Sequence, residues 1–314
     1  MLFRVILIFC FSISSTFANE SEMNGVQWLK NMSQAMKALN YQGTVAFFKN
    51  GRLDTMKYFH VSENEREQER LLSLNSPMRE VIREAGTVRC VFKKTKKNVL
   101  NHRPINDSFI IDLPDDFSNI TSAYQLMIKD EESVAMLPAY VLSIEPIDEY
   151  RYRRKIWIDK ASFLPLKTEV YDLSGVTVEQ VVFTDIEVGL KLAFVNIDNE
   201  SKDVDVKHVH RSKLAPINEA SFILQNLPLN FHLVFFTQMN RENSTSAVEH
   251  ALLSDGFSSV SVYKEAKASD TQEGLQTLGS VKSFTQVVDG FQITVMGEVP
   301  ARTVQFIAQG VKLK

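Results

Sequence analysis

The residues best suited to chemistry are two basic runs, Arg151-x-Arg153-Arg154-Lys155 and Lys93-Lys-Thr-Lys-Lys97. Arginine forks and lysine point charges suit phosphate groups, so either run reads as an anion contact, against the competing reading of ordinary loop solvation. Histidines stand at 60, 102, 208, 210, 232 and 250. Only His208 and His210 are close in sequence, and with no third ligand in reach no metal is expected. Glu63, Glu65, Glu67 and Glu69 recur with a period of two, which on an exposed strand or turn makes a solvated face. Paired catalytic carboxylates need shelter to separate their pKa values, and nothing around these four supplies it. The chain holds no nucleophile elbow, P-loop, dinucleotide glycine fingerprint or zincin helix, so neither catalysis nor a cofactor is expected.

These residues sit in a chain that reads as exported. Arg4, the apolar run Val5–Phe11 and small residues at Thr16 and Ala18 form the three parts of a cleavable secretory signal, too short to span a bilayer. Bulky Phe9 before Cys10 argues against a lipid anchor. Removing residues 1–18 takes away Arg4 and no acid, leaving 34 Lys+Arg against 38 Asp+Glu, a net charge of about −4. That balance gives no field attracting nucleic acid. Cys90 is the one cysteine left after cleavage, so no intramolecular disulfide forms and stability rests on packing. It reads as a small buried residue of an alternating strand.

The elements that would position the basic groups are mostly strands. Val26, Leu29, Met32, Met36 and Leu39 repeat at helical spacing and predict a helix over 24–40. Asn50-Gly51 predicts a tight hairpin between 43–49 and 52–60, and a meander follows through 67–74, 79–84, the Ala85-Gly86 turn and 87–92. A second helix is expected from Pro114 to about Lys129, with 131–139 irregular. Strands resume at 140–145, 150–159, 166–172 and 178–188, with a turn at Ser174-Gly175. The outline is a curved antiparallel sheet of about nine to eleven strands with helices on one side, enclosing either a core helix or an apolar groove. Residues 191–216 read as a polar linker. Beyond it come strands at 231–238, 249–253, 257–264, 281–287 and 291–297, turns at Asp255-Gly256 and Asp289-Gly290, and a terminal helix 301–309 opened by Pro300 and ended by Gly310.

Leu39-Asn-Tyr-Gln-Gly-Thr-Val45, Met78-Arg-Glu-Val-Ile-Arg83, Trp157-Ile-Asp159 with Leu164-Pro-Leu-Lys167, Leu253-Ser-Asp-Gly-Phe257 and Gly297-Glu-Val-Pro-Ala301 follow one another in an order and spacing that resembles the RseB/MucB family. The resemblance spans nearly the whole mature chain. Phe222–Phe231 departs from it, being poorer in tryptophan and glycine than the family's usual entry to the small domain.

What the resemblance implies is an α+β protein of the periplasm: a LolA/LolB-like curved half-barrel with helices, sensing lipid, over 19–190, a linker over 191–216, and a smaller β-rich partner-binding domain over 217–314. It further implies a negative regulator of the sigma-E envelope-stress response. Such a protein binds the periplasmic domain of the anti-sigma factor RseA, shields it from the protease DegS, and is released by lipopolysaccharide or lipoprotein acyl chains. In that scheme the groove takes acyl chains while Arg79, Arg83, Arg153 and Arg154 are the candidate ligand-binding residues, meeting phosphate. A flexible linker would let the domains reorient, and the ligand must prefer the partner-free arrangement. An acyl-chain carrier of LolA type is the competing reading, and a secreted hydrolase the weakest. The oligomeric state is left open, a homo-oligomer included.

Overall fold

The computed structural model describes residues 23–75, 79–84, 87–92, 108–195, 207–209, 216–240 and 247–314. The expected signal segment, the Ala85-Gly86 turn, the Lys93–Lys97 run, His210 and most of 191–216 lie outside the described residues.

Helix α1, Gly25–Ala38, begins where Asn24 can cap it. The Asn24 side chain accepts the Gln27 amide hydrogen at 3.0 Å and the Gln27 side chain accepts that of Asn24 at 3.1 Å, a reciprocal capping box. Its apolar stripe, Trp28, Leu29, Met32 and Met36, is buried. Strands β1 (Tyr41–Lys49), β2 (Arg52–Glu63), β3 (Arg66–Ser73), β4 (Arg79–Glu84) and β5 (Thr87–Phe92) form the meander read from the sequence. The β1–β2 turn has Asn50 at φ 53° and Gly51 at φ 73°, the positive values that make this pair the favoured hairpin turn.

The helix expected from 114 to 129 is not formed. A single 3-10 turn, Ile120–Ser122, leads into strand β6 (Tyr124–Val134), and the stretch expected to be irregular is the β6–β7 hairpin, with β7 spanning Leu137–Pro146. Pairing of β6 with β7, which shares its core face, overrides the helical spacing of Ile120, Tyr124 and Met127. Strands β8 (Arg153–Asp159), β9 (Pro165–Tyr171) and β10 (Thr177–Val188) follow. Within the region read as linker, Lys207–Val209 forms β11, with His208 opposite Cys90 of β5.

The described strands order as β11-β5-β4-β3-β2-β1-β10-β9-β8-β7-β6 in an antiparallel sheet that does not close on itself. Helix α1 touches both β2 and β6, six places apart in that order, so the sheet curls around the helix. Gly25 makes the approach to β6 possible, since a Cβ there would lie 2.6 Å from that of Leu126. The core on the concave face joins the helix stripe to Tyr41, Val45, Tyr58, Leu142, Ile144, Ile156, Ile158 and Phe183.

A second sheet holds β13 (His232–Asn240), β14 (Ala247–Ser254), β15 (Ser259–Ala266), β16 (Gly274–Leu278), β17 (Val281–Val288) and β18 (Phe291–Gly297); β12 (Phe222–Leu224) pairs with β19 (Val311–Leu313). Helix α2, Ala301–Gln309, packs on β17 and β18 with Val304, Ile307 and Ala308 buried in a separate core. Edge strand β16 was not legible, because its side chains beyond Gly274 are exposed and carry no alternation.

Candidate ligand groove and domain junction

The concave face carries a polar cluster at one end. In register, His60 stands opposite Glu69 and Glu69 opposite Arg83, so β2, β3 and β4 place imidazole, carboxylate and guanidinium side by side. Glu69 is buried, contrary to the solvated face expected of Glu63–Glu69. Its Oε1 accepts from Tyr58 OH at 2.8 Å and Ser108 Oγ at 2.7 Å. Its Oε2 accepts from the Phe109 amide at 2.8 Å and Arg83 Nε at 3.2 Å. Glu67 takes the other arm of Arg83 at 2.5 Å. His60 donates from Nδ1 to the Leu39 carbonyl at 2.7 Å, turning Nε2 toward Glu67 Oε1 at 3.3 Å.

Burial, then the Glu69 charge, pushes the Tyr41 and Tyr58 hydroxyls up, so both stay protonated donors. Burial alone would lower Arg83, but Glu69 and Glu67 outweigh it and raise it. His60, Glu67 and Glu69 bring ligand atoms within 4.8 Å of one another, a spacing that a divalent cation could use. Arg83 pairs with both carboxylates and Glu69 accepts four donors, so the two carboxylates are already engaged from within. Isolated charge patterning could not reveal this, because the donors come from three other segments.

Beside this cluster the cleft between α1 and the Ser108–Pro114 segment has a volume of about 20 Å³, room for about one water. The helix, not an open groove, fills the concave face among the described residues.

The four candidate arginines are not brought together. Arg79 and Arg83 both belong to β4, while Arg153 and Arg154, adjacent on β8, point to opposite faces. Strands β4 and β8 stand six places apart, about 29 Å along the sheet. Arg153 lies over the Tyr171 ring at 4.8 Å with its Nε buried and unpaired. Arg154 donates to the Phe257 carbonyl. Arg151, from the same basic run, is fully buried and does not face solvent.

Arg151 and Arg154 instead hold the junction between the two sheets. Asp255 Oδ1 accepts the amides of Phe257 at 3.0 Å and Ser258 at 2.8 Å, closing the turn between β14 and β15. Its Oδ2 accepts from Arg151 Nε at 2.6 Å and Tyr124 OH at 2.7 Å. Arg151 also reaches Asp148 and the Leu229 carbonyl and lies over the rings of Tyr124 and Phe231. Burial would lower Arg151, yet Asp255 holds it raised. Around this pair, Thr303 Oγ1 donates to the Tyr150 carbonyl at 2.7 Å, and Asn230 donates to Ser122 Oγ at 2.8 Å. The sequence signalled the Asp255-Gly256 turn but not its docking.

Residues 24–205 match the family model described as MucB/RseB N-terminal domain, and residues 216–312 match the MucB/RseB C-terminal domain. The chain belongs to the MucB/RseB family. Among relatives, the sigma-E factor regulatory protein RseB of Haemophilus influenzae is 24% identical, covering 96% of this chain and 95% of the relative. The sigma factor AlgU regulatory protein MucB of Pseudomonas aeruginosa is 27% identical over 91% and 90%. The crystal structure of MucB in complex with MucA(peri) superposes with a TM-score of 0.73 at 24% identity, covering 93% of this chain and 99% of that one. The MucB/RseB relatives are regulatory proteins, and their fold, an open, mostly β curved sheet with few helices plus a second β-rich unit, is the fold of this chain.

Proposed function

We propose that this protein is a periplasmic negative regulator of an envelope-stress sigma factor, binding the periplasmic domain of an RseA- or MucA-like anti-sigma factor and shielding it from a DegS-type protease. Lipopolysaccharide or lipoprotein acyl chains release it. The observation that carries this reading is that both family models match in order over nearly the whole described chain. It acts by binding rather than catalysis, in keeping with a buried polar cluster whose carboxylates are consumed by internal donors. The unit over 19–190 senses the amphiphile, 191–216 links it, and 217–314 contributes to the partner site. Of the four arginines, Arg153 and Arg79 meet phosphate, while Arg83 and Arg154 serve the cluster and the junction. A carrier of LolA type is the competing reading, and the match of a second family model over residues 216–312 favours the regulator, since a pure carrier needs only the half-barrel.

Calorimetry of residues 19–314 with the periplasmic segment of the anti-sigma factor tests this. Micromolar or tighter binding that lipopolysaccharide abolishes is the expected result. No binding, with acyl-chain uptake retained, would return the carrier.

A further inference from the structure

We propose that Phe257 is a built-in occupant of the acyl site: the second domain lends this ring to the concave face of the first, and an entering acyl chain competes with it. The inference rests on reading that face as the acyl site. Phe257 follows the Asp255-Gly256 turn of the second sheet, yet it is 2% exposed and packs in the core of the first, against Tyr124, not in the core around α2. Its ring meets Tyr124 edge to face, centroids 5.4 Å apart at 83°. The turn bearing it is fixed: Asp255 is held by Arg151 and Tyr124, and the Phe257 carbonyl by Arg154. Gly256, at φ 94°, passes so close to Pro114 that a Cβ would lie 2.4 Å from the Pro114 Cα. That fit defines one docked position.

Among the described residues α1 fills the concave face, and the cleft beside it holds about 20 Å³. An acyl chain of many methylenes therefore enters only if something leaves. Helix α1 is tied in through a buried apolar stripe that packs in the core of its own domain. Phe257 is the large apolar side chain there that comes from the other domain, so it can withdraw without unfolding the first. Withdrawal carries Asp255 out of reach of Arg151 and Tyr124. Acyl-bound and docked arrangements are then mutually exclusive, which is the differential affinity that a ligand needs to shift a two-state equilibrium.

The test uses residues 19–314 with Cys90→Ser, titrated with the fluorescent fatty acid cis-parinaric acid. Phe257→Ala vacates the site and is expected to raise the affinity about tenfold. Ser122→Cys with Asn230→Cys, at side chains that touch across the junction, cross-links the docked state. Oxidised, this variant is expected to lose uptake, and reduction is expected to restore it. Uptake by the cross-linked form equal to that of the uncross-linked protein overturns the proposal, whatever Phe257→Ala does, and leaves the acyl reading standing. Uptake by no form, Phe257→Ala and the reduced variant included, removes the acyl reading itself and the proposal with it. Should Phe257→Ala fold poorly, Phe257→Leu gives a smaller gain by the same logic.

Discussion

Four donors reach the two carboxylate oxygens of buried Glu69, and the Arg83 guanidinium among them supplies the balancing positive charge. Arg83→Met removes the balance and leaves two carboxylates facing each other. The expected cost is about 3–5 kcal/mol in urea unfolding, much of which Glu69→Gln added to Arg83→Met should recover. Glu67 gives the pH signature. Burial would raise its carboxyl, but the His60 hydrogen bond and Arg83 hold it below its ordinary value of 4.5. A carboxyl depressed in the folded state stabilises above its unfolded pKa, and that share is lost as pH falls through the folded value. Unfolding free energy should therefore drop as the pH is taken below 4.5, and Glu67→Gln should show a shallower drop in the same urea series. None of this cluster was legible in the four alternating glutamates. Their partners, Tyr58, Arg83 and Ser108, arrive from elsewhere in the chain, and only register reveals which glutamates face inward.

The elements that could be read from sequence are those whose cause is local. Asn50-Gly51, Ser174-Gly175 and Asp289-Gly290 need their own dihedrals, and α1 carries its cap and stripe within one segment. Strand β6 failed as a reading because its pairing lies in β7, and the turn joining them gives no signal. Ala135 and Met136 occupy it at φ 51° and 63°, the left-handed region that a side chain with Cβ resists. Exposed Lys129–Glu132 charges along β6 also hid the strand, and such charges suit the free edge of a sheet. Replacing Ala135-Met136 by Asn-Gly gives the turn residues its geometry favours. Met136 is 97% exposed, so nothing packed is lost. The expected gain is about 1–2 kcal/mol by thermal or urea unfolding. No gain would mean that the turn relaxes in solution away from these dihedrals.

Across the whole molecule, the two sheet units meet at the junction and again at the β1–β2 hairpin, where the Ser280 amide donates to Asn50 Oδ1 at 2.7 Å and Lys49 pairs with Glu298. The general outline, a curved sheet followed by a smaller β-rich unit, was legible because each has its own strands and turns. The contact between them was not, since Arg151 lay hidden in a run that looked like a solvated anion site, and Asp255 looked like a simple turn residue. The Arg151–Asp255 pair is fully buried, so losing Asp255 strips the guanidinium of its buried partner and leaves it only the part-exposed Asp148. Asp255→Ala should therefore uncouple the units. Scanning calorimetry is expected to show the wild type unfolding in one transition and Asp255→Ala in two, with the second domain melting first because its core is smaller. Salt supplies the control. Screening weakens exposed pairs such as Lys57–Asp185 but does not reach a pair inside the junction, so wild-type cooperativity should persist at about 0.5 M NaCl. A wild type that splits into two transitions on adding salt would place the coupling in the exposed rim, with Lys49–Glu298 and Arg302–Glu149, and not in Asp255.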